Sequence, residues 1–195
     1  MEDYSKGTEE LKHRRAKKMM LWFGMVSLGM SFAGFTSSYI VSKNRKDWLQ
    51  DLELPQAFFW SLLVILISSV TMHVAKIMVQ RNKSKEGMGL LILTFLLGLL
   101  FIWFQVQGFS QMIESMGIYF TGKTSNIKGS FIYVIAIVHI AHVVAGLLAL
   151  LVVIYNHYKQ KYKNGKTLGI ELAATFWHFV DFLWVYLFLF FYFVR

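Results

Sequence analysis

Apolar residues fall into five blocks separated by short polar stretches. Each block is about 20 residues or longer, the length an α-helix needs to cross the hydrocarbon core of a bilayer. The pattern predicts spans over about 19–41, 55–80, 88–112, 130–156 and 172–194, preceded by a polar segment, 1–18, "MEDYSKGTEELKHRRAKK". The longest connection, about 113–129, carries Gly117, Gly122 and Gly129 as turn markers, and no connection is long enough to fold as a domain. The expected fold class is all-α: a polytopic membrane protein of five transmembrane helices in one bundle, with 1–18 outside it.

Charge sets an orientation on this pattern. The chain carries a net charge of +9, but its basic residues sit in short tracts beside the apolar blocks, which argues against nucleic acid as a partner. Six lie before the first span, four within 76–85 and four within 159–166; the opposite side holds only Lys43, Arg45, Lys46, Lys123, Lys128 and Arg195. The positive-inside rule then predicts a cytoplasmic N-terminus and a C-terminus outside. Four acids in the first 18 residues, with no clear cleavage site of small residues, argue against a removable secretory signal. The chain has no cysteine. Disulfides, covalently attached c-type haem, iron–sulfur clusters and thiolate copper sites are therefore excluded.

Polar groups inside the blocks are the candidate chemistry. Gly24, Ser27, Ser31, Gly34 and Ser38 form one stripe of small side chains, expected to let another helix approach closely. Ser61, Ser68 and Ala75 repeat the pattern more sparsely in the second span. His73, His139, His142 and His178 fall inside spans, whereas His13 and His157 are expected near water; Asp181 is the one acid deep in a span. His139 and His142 stand three apart, as do His178 and Asp181. At about 1.5 Å per residue the first pair lies about 14 to 18 Å below one surface and the second about 9 to 14 Å above the other. In a core about 30 Å thick the two layers nearly meet. One polar cluster of His139, His142, His178 and Asp181 is the expected arrangement, with an interhelical hydrogen-bonded clamp as its first reading. A metal or haem site and a proton-handling group are the alternatives; one haem bridging a fourth-helix histidine to His178 stays open. Trp22, Trp60, Tyr155 and Tyr158 fall near the expected interfaces, where such rings anchor. Arg81 and Lys83, or Lys159 to Lys166, are expected to orient the chain, a lipid headgroup site being the alternative.

These fragments together resemble one family, subunit III of the haem–copper terminal oxidases, in its short five-helix bacterial form. "FWHFVDFLWVYLF" resembles the closing-helix signature through Trp177, His178, Phe179, Val180, Asp181 and Trp184. "GSFIYVIAIVHIAHVVAG" is similar to the helix before it through His139, His142, Val143 and Gly146. "LLVILISSVTMHVA" resembles another through Leu62, Leu63, Ser68, Ser69, Thr71 and Ala75, and "LTFLLGLLFIWFQ" through Thr94, Gly98, Phe101 and Gln105. "SLGMSFAGFTSSY" resembles the first helix of the short form through Ser27, Met30, Phe32, Gly34 and Tyr39. Two family glutamates are replaced, by Leu28 and by Gly108, which puts proton conduction through them in doubt.

The resemblance implies an accessory subunit of a proton-pumping cytochrome c oxidase in a bacterial cytoplasmic membrane. It implies no cofactor bound by this chain, haem and copper held by catalytic subunit I, a further partner in subunit II, a phospholipid contact, and membership of a respiratory supercomplex as one setting. His139, His142, His178 and Asp181 are then a structural cluster, and Trp177, Trp184, Gly146, Ser68, Ser69 and Gln105 packing or lipid-contact positions; none is assigned a catalytic or metal-binding role. The electron donor is left between a cytochrome c and a quinol. The competing functions are a haem b membrane anchor passing electrons from quinol, and the related small subunit of a nitric oxide reductase cluster.

Overall fold

The computed structural model describes residues 2–45, 48, 54–117, 120, 126–160, 162 and 167–194, with side chains outside 2–8, 115 and 116. Five α-helices occupy the described residues: α1 (Glu2–Ser42), α2 (Gln56–Gln80), α3 (Ser84–Met116), α4 (Ile127–Tyr158) and α5 (Leu168–Phe193). Each contains a stretch long and apolar enough to cross a membrane, and the protein is a multi-pass membrane protein. Lys46, Lys123, Lys161, Lys163, Lys166, Arg195 and Gly122 lie outside the described residues.

Local chemistry sets the helix ends. α2 starts after Pro55, whose fixed φ suits the entry to a helix, and a turn through Asn82 at φ 59° reverses the chain into α3. Gly87 closes this hairpin, because a Cβ there would stand 2.7 Å from Val79 Cγ2. α3 stops at Gly117, left-handed at φ 61°, whose N–H is 3.0 Å from the Ile113 carbonyl. Asn126 caps α4 by accepting from the Lys128 N–H at 2.9 Å. Gly129, expected as a turn marker, is instead buried inside α4: the cap at Asn126 begins the helix before it.

α2, α3, α4 and α5 close a four-helix ring in which sequence neighbours run antiparallel and α5 returns beside α2. α1 stands outside this ring, seated against α4 and α5 only. α1 begins at Glu2, so residues 2–18 continue into the first apolar block as one unbroken helix. Lys18 Nζ meets Glu171 of α5 at 2.8 Å and Arg14 meets it at 3.7 Å, while Thr167 donates to the same carboxylate at 2.8 Å. The opposite end of α1 is fastened by Tyr39, buried among Trp48, Phe131 and Phe190.

The small-residue stripes part ways. Ser61, Ser68 and Ala75 are fully buried in the ring, as expected of a packing face. On α1 the stripe of Gly24, Ser27, Ser31, Gly34 and Ser38 points outward, and nothing lies within 4 Å of a Cβ built on Gly24 or Gly34. The close helix partner expected there is absent among the described residues, because α1 presents Met25, Phe32, Thr36 and Tyr39 inward instead.

Candidate functional site

Two stripes of α5, offset by one residue, build two different environments. Trp177, Val180 and Trp184 recur at three and four residues and face the ring interior, all buried. His178, Asp181 and Val185 follow the same spacing one step round and face the groove beside α2.

The Trp177 indole is the wedge of the ring. Its Nε1 donates to Ser68 Oγ of α2 at 3.1 Å. One ring edge rests on Gly98 of α3, where a Cβ would stand 2.8 Å from Cη2, and another rests on Gly146 of α4, where it would stand 3.1 Å from Cε3. Three helices thus converge on one side chain of the fourth, and glycine at 98 and 146 is what admits it. Further along, Trp184 stacks on His139 at 5.1 Å and meets Phe101 and Phe58 edge-on at 5.4 and 5.8 Å. Gln105 Nε2 donates to Ser61 Oγ at 3.0 Å, which in turn donates to the Phe58 carbonyl at 2.8 Å. Thr71 and Thr94 share a hydrogen bond of 2.9 Å between α2 and α3. Both tryptophans are interior packing groups, which removes the lipid-facing alternative for them.

The four residues expected in one polar cluster occupy three places. His139 is fully buried among Phe32, Phe101 and Trp184, and neither ring nitrogen has a hydrogen-bond partner among the described residues. His142, half-buried, donates through Nδ1 to the Val138 carbonyl at 2.7 Å and lines a groove between α1 and α4 with Ser27, Leu28 and Ser31. His178 shares a 2.7 Å hydrogen bond with Ser69 Oγ of α2, its ring 6.0 Å from that of His73. Asp181 is 3% exposed and neither carboxyl oxygen has a hydrogen-bond partner among the described residues. The clamp between α4 and α5 is therefore not formed. Depth along a helix says nothing of direction around it, and His139 and Asp181 lie on different sides of α5. No group of three or more His, Asp or Glu among the described residues could hold a metal ion.

Two positions gain roles that sequence reasoning missed. His157, expected near water, is buried and donates Nε2–H to the Ser84 carbonyl at 2.9 Å, tying the end of α4 to the start of α3, while Tyr162 stacks on its ring. Gly108, where the family often has a glutamate, is the seat of the Phe58 ring, which a Cβ there would overlap. Nothing in the spacing signalled either contact, since each partner lies in another element.

The family model for cytochrome c oxidase subunit III matches residues 47–195. The chain belongs to that family. Curated relatives include cytochrome c oxidase subunit 3 of Corynebacterium diphtheriae, 29% identical over 85% of this chain and 82% of its own length. Another is cytochrome bo(3) ubiquinol oxidase subunit 3 of Buchnera aphidicola, 29% identical over 92% of this chain and 94% of its own. The cytochrome c oxidase subunit 3 of Alkalihalophilus pseudofirmus is 25% identical over 95% of this chain and 93% of its own. As an oxidase subunit III, the chain is part of an oxidoreductase complex with other subunits.

Proposed function

We propose that this subunit III is a non-redox stabiliser of the catalytic subunit in a proton-pumping cytochrome c oxidase of a bacterial cytoplasmic membrane, its N-terminus cytoplasmic. The observation that carries the reading is the combination of the family match over 47–195 with an interior committed to packing. Trp177 and Trp184 fill the ring, and His139 is enclosed on three sides by aromatic rings. A haem between α4 and α5 would have to displace those rings, which weighs against the haem b anchor. The excess of Lys and Arg in the N-terminal part of α1, up to Lys18, and around the α2–α3 and α4–α5 turns supports the orientation. Haem and copper belong in this reading to catalytic subunit I, beside subunit II, and structural phospholipid lies against the exposed apolar faces of the bundle.

The test is to extract the tagged chain from its native membrane in mild detergent, then record the visible spectrum, the co-purifying masses and oxygen consumption. Co-purification with a large haem-bearing chain, and oxygen uptake driven by reduced cytochrome c, is the expected result. Uptake driven by quinol alone overturns the donor assignment. A chain emerging alone with a stoichiometric b-type spectrum overturns the whole reading in favour of the haem b anchor.

A further inference from the structure

The four-helix ring has an outer groove between α4 and α5 that α1 occupies, and an outer groove between α2 and α5 that no helix of the described chain occupies. The second has a volume of about 580 Å³. Its rim is apolar, with Val70 and Phe182 63% and 71% exposed, and its floor holds Ser69, His73, His178 and Asp181. Ser69 and Asp181 stand midway along helices of 25 and 26 residues, so the floor lies near the centre of the bilayer, beyond reach of lipid headgroups. Ser69 shares its 2.7 Å hydrogen bond with His178 Nδ1, and although its hydroxyl also neighbours the Asp181 carboxyl, no well-formed hydrogen bond reaches His178 Nε2 or either Asp181 oxygen among the described residues.

We propose that this groove receives a transmembrane helix of another oxidase subunit, one that places a hydrogen-bond donor against Asp181. Acyl chains would cover the apolar rim but offer nothing to a carboxyl group, whose burial without a partner in hydrocarbon is costly. A helix brings both halves of the match: apolar side chains for Val70 and Phe182, and one Ser, Thr, Asn, Gln, Lys, Arg or His for the floor. α1 shows that an outer groove of this ring accepts a helix lengthwise, and the two grooves share α5 as a wall. The inference rests on the chain working inside an oxidase complex and adds which face meets the partner and through what chemistry.

The test uses the complex in its native membrane. Phe182→p-benzoyl-phenylalanine and Val70→p-benzoyl-phenylalanine place photo-crosslinkers on the rim, and Leu148→p-benzoyl-phenylalanine on the exposed face of α4 is the comparison. After irradiation, the expected product from the rim probes is a transmembrane peptide of another oxidase subunit with a donor side chain within one turn of the linked residue. Crosslinks only to lipid or quinone, or to a peptide without such a donor, overturn the proposal while leaving subunit III membership intact. Absence of any oxidase subunit from the preparation overturns both. In a second measurement, the fraction of chain retained on the complex through a detergent wash is normalised to the chain present in the membrane. Asp181→Asn keeps an acceptor and is expected to stay near the parent; Asp181→Leu is expected to fall by about fivefold, the worth of one interhelical hydrogen bond. Equal retention of Asp181→Leu and the parent overturns the proposal.

Discussion

Gly98→Ala tests the wedge directly. A Cβ at 98 would stand 2.7 Å from Leu147 Cδ2 and 2.8 Å from Trp177 Cη2. Carbon atoms in contact prefer about 3.5 Å or more, so Leu147 must give by about 0.8 Å and Trp177 by about 0.7 Å. The Leu147 methyl swings aside by a side-chain rotation. Trp177 has less freedom, because its Nε1 is bonded to Ser68 and its other edge rests on Gly146. Overpacking a closed interior costs about 1–3 kcal/mol, and alanine returns up to about 1 kcal/mol of helix propensity. The expected net is a loss of about 1–2 kcal/mol, close to a tenfold change in the folding equilibrium. Gly146→Ala meets Trp177 at 3.1 and 3.2 Å and should fall within about 1 kcal/mol of the parent. Gly24→Ala enters open space and should be neutral or gain up to about 1 kcal/mol.

The assay is titration of the full chain in dodecyl maltoside with SDS, followed by far-ultraviolet circular dichroism. Trp177→Phe removes the ring atoms nearest Gly98 and forfeits the Ser68 bond, so it destabilises by itself. In the double variant the alanine should cost about 1 kcal/mol less than it does alone. An unchanged midpoint for Gly98→Ala, or strict additivity with Trp177→Phe, would refute the wedge.

Three further outcomes follow from individual contacts. Gly108→Glu, which restores the glutamate the family often carries, drives into Phe58 and should cost on the order of 3 kcal/mol; the same titration should show Phe58→Ala relieving part of that loss. His157→Ala removes the tie between the end of α4 and Ser84 at the start of α3, so faster amide hydrogen exchange at the first turns of α3 is expected, with parent-like exchange at Gly117. Burial raises the Tyr162 phenol above its usual pKa, partly offset by its hydrogen bond with Asn156. Between the ordinary value and the raised one, the unfolded chain has released the proton and the folded chain has kept it, so stability present below about pH 10 is lost as pH rises. The unfolding midpoint should therefore drop as pH rises past about 10, and Tyr162→Phe should flatten that drop.

The five helices were legible because block length and hydropathy measure the thickness of the surrounding solvent directly, and each expected span lies within an observed helix to within one residue. The N-terminal boundary was not legible. Residues 1–18 read as a polar tail, yet the chain is helical from Glu2 onward and Arg14 and Lys18 pair with Glu171, more than 150 residues away. The α1 stripe failed for a related reason: spacing identifies a face on which small side chains align, but not whether anything stands opposite it. Gly98, Gly146 and Gly108 were visible as glycines in helices, but only the structure supplies the rings that need them.

The closing motif shows most clearly where sequence reasoning stops and why. In "WHFVDFLW" the spacing of three rightly places His178 and Asp181 on one face, and the neighbouring spacing places Trp177, Val180 and Trp184 on another. Which face turns inward is decided by volume. The ring interior holds two glycine seats that only a large flat side chain fills, so the tryptophans take it, and the ionisable pair is carried round to the groove beside α2. His139, at a similar depth on α4, is thereby met by Trp184 and not by Asp181. One short helix segment thus does two jobs at adjacent azimuths: it closes this subunit's own interior, and it sets at mid-membrane a carboxyl with no well-formed hydrogen bond among the described residues, which in the proposed complex a neighbouring subunit supplies.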